Sequence, residues 1–271
     1  MTIRIRRLLI AATATLLATA GCAALNGPKT PIGVRAISAA CGKSVDTLLV
    51  MLPGAYDKAD DFITHGFVDA VRERHIAADI ALVDVSVAYY RNADIVARLD
   101  ADVIAPAQVR GIRHVWIAGI SIGGIGSLIY ANEKRGVVDG LLLMAPYLGE
   151  RSIAAEISAS GGLAAWSPPG TIPVDDQDRR LWQWLKTLTL MQIHPQAQPS
   201  QINPRLPAVY LGYGIDDRFV ASHHLLAAAL PADRVFTAAG GHDWPAWSAL
   251  WPVMLDAAPL PHDASCAHAA R

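Results

Sequence analysis

His114-Val-Trp-Ile-Ala-Gly-Ile120-Ser121-Ile-Gly-Gly-Ile-Gly126-Ser-Leu-Ile-Tyr130 is the stretch on which the reading of this chain turns. Its first seven residues are an apolar, β-branched run of strand length. From Ile122 to Glu133 the pattern becomes helical despite its glycines, and only Ser121 stands between the two. A strand that passes into a helix through a single residue is the core of a βα unit, and such units build parallel sheets.

Working outward, the same alternation recurs on both sides. Thr47–Leu52 reads as a buried strand stopped by Pro53-Gly54, and a helix is expected over Asp61–His75 with Asp60 or Asp61 as its cap. Ile80–Val85 is the next strand, and Asp94–Val109 holds an interrupted helix. Val138–Met144 is a strand ended by Ala145-Pro146. The alternation then lapses over about 147–204, where a Gly/Pro/Ser-rich stretch precedes one amphipathic helix, Asp176–Gln192. It resumes with strand Ala208–Gly212, a helix near Val220–Leu230, strand Arg234–Ala238 and a last helix Pro245–Leu255. The expected fold class is α/β: a doubly wound, mostly parallel sheet with a helical cap inserted after the strand that ends near Met144. The tail, about 259–271, is expected to be disordered.

At 271 residues, 52% apolar and 17% charged, with a mean hydropathy of +0.28, the chain is long and apolar enough to bury a substantial core. Its formal net charge is −1 and no run of Lys or Arg exceeds Arg6-Arg7, so no nucleic-acid partner is expected.

The first residues read as an address. Arg4, Arg6 and Arg7 precede an apolar stretch from Leu8 to Ala20, followed by Gly21-Cys22. Thirteen residues rise only about 20 Å as a helix, short of a hydrocarbon core of about 30 Å, so an export signal over residues 1–21 is the better reading than a permanent span. Leu17-Ala-Thr-Ala-Gly-Cys22 resembles the bacterial lipobox, with Thr19 where that motif usually carries Leu. The resemblance implies lipidation of Cys22, a membrane anchor at the new N-terminus and an envelope lipoprotein facing the periplasm. Ala23 leans toward the outer membrane. Cleavage after Ala20 without lipid is the alternative. In an oxidising compartment a bridge between Cys41 and Cys266 is possible; sequence gives no distance between them, and two unpaired thiols on loose ends are the alternative.

Gly119-Ile-Ser-Ile-Gly123 fits G-x-S-x-G and lies between strand and helix, where a serine can be held in a sharp turn with helix amides aimed at a reacting oxygen. Serine needs a base oriented by an acid, and both follow in that order, each after a strand: Gly214-Ile-Asp-Asp217-Arg-Phe-Val220 and Gly240-Gly-His242. Asp216 is the alternative acid, and Asp217 also suits a helix cap.

These three motifs resemble those of the α/β-hydrolase superfamily, specifically its serine esterase and lipase-like members, over about Thr47–Leu255. The resemblance implies Ser121 as nucleophile, Asp217 as acid and His242 as base. It implies an oxyanion hole from the amide of Ile122 and one from Ala55 or Tyr56, in a loop that has Pro53-Gly54 where relatives often have His-Gly. The implied activity is carboxylic ester hydrolysis on a small-molecule or lipid ester, with no cofactor and no metal. An acyltransferase acting on envelope lipid or glycan, and a non-catalytic envelope lipoprotein with this fold, are the alternatives. Trp182, Trp184 and Leu185 are candidate pocket lining on the cap helix, with plain packing as the competing role. The adjacent pair His223-His224 faces two ways on a helix and supports no metal site, and the His262, Asp263, Cys266 and His268 group falls in the tail.

Overall fold

Strands buried on both faces need apolar residues at every position rather than at alternate ones, and the chain supplies several such runs. The computed structural model describes residues 28–41, 43–193 and 206–266. The segment 1–27, with its expected signal and Cys22, lies outside the described residues, as does the tail beyond 266. Seven strands form one sheet: β1 (Val34–Ile37), β2 (Thr47–Leu52), β3 (Asp79–Val83), β4 (His114–Ile120), β5 (Gly140–Met144), β6 (Ala208–Gly214) and β7 (Val235–Ala238), in the order β1-β3-β2-β4-β5-β6-β7. Every pairing is parallel except that of β1 with β3. Every residue of β2 and β5 is buried.

Because successive strand residues point to opposite faces, the sheet serves two cores. Leu48, Val50 and Leu52 enter one, while Leu49 and Met51 enter the other. The helices are α1 (Asp61–Thr64), α2 (Phe67–Glu73), α3 (Val87–Arg91), α4 (Ile95–Leu99), α5 (Ala105–Val109), α6 (Ile122–Glu133), α7 (Arg151–Ala159), α8 (Gln177–Ile193), α9 (Val220–Ala227) and α10 (Trp244–Ala257). The helix expected over Asp61–His75 is broken in two at Gly66, whose φ of 76° no right-handed helix contains. Between α4 and α5 a π-helical turn, Asp100–Ile104, interrupts the hydrogen-bond ladder.

Between β5 and β6 lie α7 and α8. Trp182, Leu185 and Leu188 of α8 are buried in the same core as α6 and α9, and the Trp182 indole donates to the carbonyl of Leu148 at 2.9 Å. The expectation that Trp182, Trp184 and Leu185 line a pocket is therefore corrected: Trp182 and Leu185 are packed core, and Trp184 is partly buried against it.

Edge strand β1 enters the sheet beside the C-terminal end of β3, with Val34 opposite Val83, and just before it the Lys29 carbonyl accepts the Tyr89 hydroxyl at 2.9 Å. The buried guanidinium of Arg72 donates to the carbonyls of Ser38 and Ala78, fastening the chain beyond β1.

The expectation of a disordered tail fails for residues 259–266. Leu260 and Cys266 are buried, His262 bonds the carbonyl of Arg74, and Asp263 pairs with Lys43. Cys266 forms a disulfide with Cys41 across 225 residues of sequence. A link closing so long a loop removes much of the freedom of the unfolded chain, by a loop-entropy estimate about 5 kcal/mol at most. Replacing both cysteines by serine is expected to lower the denaturation midpoint in proportion, measured in urea with wild type under oxidising conditions. An unchanged midpoint would show that the bond adds nothing to stability.

Candidate functional site

Helix and strand pass closest where β4 turns into α6, and that approach dictates two glycines. A Cβ at Gly123 would fall on the backbone oxygen of Leu52, and one at Gly119 would fall on the backbone of Gly123. Ser121 between them has φ 52° and ψ −113°, a conformation costly for any residue with a side chain. The turn is pinned from both sides, since the Ser121 amide donates to the Met144 carbonyl at 3.0 Å and the Ser121 carbonyl accepts the Tyr147 amide at 2.9 Å. Held this way, the hydroxyl stands at the C-terminal edge of the sheet, beside the first-turn amides of α6 that have no partner within the helix.

Two more loops reach the same edge. Three residues beyond β6, Asp217 is only 2% exposed. Its Oδ1 accepts the Phe219 amide at 2.7 Å and its Oδ2 meets Nδ1 of His242 at 2.8 Å. Four residues beyond β7, His242 brings Nε2 to 2.9 Å from Ser121 Oγ. One carboxylate thus fills both roles suggested for it, capping a turn with one oxygen and orienting the imidazole with the other. Burial alone would raise the Asp217 carboxyl, but the bonds from His242 and the Phe219 amide outweigh it and hold it below the usual carboxylate value. It is ionised at neutral pH and requires Nδ1 to carry the proton, which leaves Nε2 free to accept from Ser121. Asp216, the other acid considered, is exposed.

Aromatic rings fix the imidazole: Phe219 and Trp247 meet it edge-on at 5.1 and 5.2 Å, and Phe219 in turn meets Tyr147. The loop after β2 lies across from the serine, where a Cβ at Gly54 would be 3.7 Å from that of Ser121. Of its two candidate amide donors, Ala55 is partly buried and Tyr56 is 94% exposed. Asp57 in this loop accepts the Trp244 indole at 3.0 Å, tying it to the residue two after His242. Sequence reading missed that tie and the aromatic collar, for which the only signal was the run of Trp residues after His242.

His223, which carried no motif, is fully buried; burial pushes its pKa down to about 4, so it is neutral. Its Nε2 meets the Pro146 carbonyl at 2.9 Å, and since a carbonyl only accepts, that nitrogen carries the proton. The contact braces the segment whose next residue, Tyr147, holds the serine turn. Of the candidate ligands in the tail, His262, Asp263 and Cys266 are otherwise engaged and His268 lies outside the described residues; among the described residues no group of three His, Cys, Asp or Glu is placed to hold a metal ion.

The seven-stranded, mostly parallel sheet with its flanking helices has counterparts among solved structures. FphF of Staphylococcus aureus, a fluorophosphonate-binding serine hydrolase, superposes with TM-score 0.53 at 13% identity, over 86% of this chain and 96% of that one. Est1E of Butyrivibrio proteoclasticus gives 0.53 at 15%, over 83% and 94%. The S-formylglutathione hydrolase of Agrobacterium tumefaciens gives 0.52 at 12%, over 83% and 88%. The chain has the α/β-hydrolase fold. No protein-family model and no curated protein sequence matches it. Within the α/β-hydrolase fold, identities this low establish architecture, and the chemistry has to be argued from the side chains at the rim.

Proposed function

We propose that the protein is a serine hydrolase cleaving carboxylic esters through an acyl-enzyme on Ser121. The observation that carries this reading is the unbroken line Ser121 Oγ, His242 Nε2, His242 Nδ1, Asp217 Oδ2, with bonds of 2.9 and 2.8 Å, ending on a serine held in a strained turn. Oγ attacks the ester carbonyl while Nε2 takes its proton, and the Asp217 carboxylate stabilises the imidazolium that forms. The amide of Ile122, with that of Ala55 or Tyr56, receives the developing oxyanion. Collapse expels the alcohol with the proton from Nε2, and a water activated by the same nitrogen releases the acid and regenerates Oγ–H. Every proton and charge is handled by the chain's own groups, so the cycle calls for no cofactor. The test is turnover of p-nitrophenyl acetate and butyrate, with mass-spectrometric detection of a fluorophosphonate adduct. An adduct on Ser121 together with turnover is expected; neither adduct nor turnover in folded protein would overturn the reading.

Residues 1–21 are proposed to direct export and Cys22 to carry lipid, placing the enzyme in the bacterial envelope. The support is the basic, apolar and small-residue succession with its lipobox-like end. Cells fed a labelled fatty acid should mark the wild-type protein and not Cys22→Ser; equal marking would remove the anchor.

A further inference from the structure

Ile122, Ile125 and Ile129 recur at the spacing that puts residues on one face of α6, and they floor a cavity of about 260 Å³. Its walls come from Tyr90, Ile95 and Val96 on one side and from α8 of the cap, through Leu181, on the other. α8 therefore does line a groove, but through Gln177, Arg180 and Leu181 of its first turns rather than through Trp182 and Leu185. Polar side chains stand at two places: Asn132 and Glu133 at the end of α6 remote from Ser121, and Gln177 and Arg180 on the cap wall.

The groove starts beside the reacting centre and leads away from it on one side only. Ile122, which follows the serine, lines it, as does Tyr147, whose amide bonds the Ser121 carbonyl; neither His242 nor Phe219 does. In the reaction proposed above, His242 must protonate the leaving alcohol, so that half of the substrate lies on the imidazole side. The carbonyl substituent is left to the Ile122 side.

We infer that this groove along α6 is the acyl site and that it takes a medium-length aliphatic acyl chain, with Ile125 and Ile129 setting the limit. The inference rests on the hydrolase reading and adds the substrate class to it. An apolar cavity of about 150 Å³ holds a benzene molecule, so this one has room for roughly ten carbons at most. From Ile122 to Ile129 the helix rises about 10 Å, which makes the space long rather than round. The floor is aliphatic along that whole length, and the polar residues beyond it mark where further methylenes stop gaining.

The test is a p-nitrophenyl ester series from acetate through butyrate, hexanoate and octanoate to dodecanoate, on wild type, Ile129→Trp and Ile129→Ala. Each methylene buried is worth about 0.8 kcal/mol, or close to fourfold. Wild-type kcat/KM should climb through hexanoate or octanoate and fall by dodecanoate. Ile129→Trp should cut the octanoate-to-acetate ratio at least tenfold. Ile129→Ala should move the optimum toward longer chains, which keeps the inference testable should the tryptophan variant not fold. A wild-type profile that is flat or falls beyond acetate, with turnover still dependent on Ser121, overturns the acyl site and leaves the hydrolase intact. Ratios unmoved by both variants do the same, whereas absence of turnover on every ester removes both.

Discussion

Ester turnover by Ser121→Ala is expected to fall by about 10⁶-fold in kcat, the scale seen when a nucleophile of this kind is deleted. The size follows from the arrangement at the rim. Alanine leaves the Ile122 amide, the imidazole and the carboxylate in place but removes the only atom positioned to form the acyl-enzyme. What survives is the contribution of binding and the oxyanion donors, about 10³ to 10⁴ over water. Alanine keeps the Cβ, and with it the strain at φ 52°, and removes only the hydroxyl that meets His242 Nε2, so the variant is expected to fold as wild type does. Hydrolysis of p-nitrophenyl butyrate, followed beside a thermal denaturation curve, is the check. Activity within tenfold of wild type would place the nucleophile elsewhere.

Asp217→Asn should lower kcat by about 10⁴-fold with little change in KM. The amide oxygen of asparagine still accepts the Phe219 amide, which occupies Oδ1 at 2.7 Å, so the turn is retained. Its NH₂ group then faces His242 Nδ1 as a donor and favours the imidazole tautomer with the proton on Nε2. That nitrogen can no longer accept the proton of Ser121. Asp216→Asn, an exposed site one residue away, is the control and should stay within about twofold. Equal losses in the two variants, or a larger one at Asp216, would reassign the acid.

How far these outcomes could be reasoned from sequence differs from one element to the next. The alternation of strand and helix was legible because parallel strands such as Leu48–Leu52 are buried on both faces and therefore apolar without a break. Strand β1 was not, since Val34–Ile37 is a four-residue edge, largely exposed, and its identity as a strand comes only from β3. The three residues of the rim were legible one motif at a time because each follows a strand, and a parallel sheet brings the C-terminal ends of its strands to one edge. The groove was not. Periodicity placed Trp182 and Leu185 on one stripe of α8, but packing alone decides which stripe faces the core, and the large aromatic side went inward. The tail misled for a related reason: with few apolar residues it reads as loose, yet it is fixed by a disulfide and an ion pair to partners some 220 residues away.

The direction of β1 bears on how the proposed enzyme would be held at a membrane. Running against its neighbours, that strand begins where they end, and Lys29 rests on Tyr89, next in the chain to a residue of the groove wall. Five residues lie between Cys22 and Pro28, a leash of at most about 20 Å. With Cys22 acylated as proposed, the leash would be fastened at the end of the sheet that carries Ser121 rather than at the opposite end. An anchor there would tether the molecule by the same rim on which the serine, the histidine and the carboxylate meet.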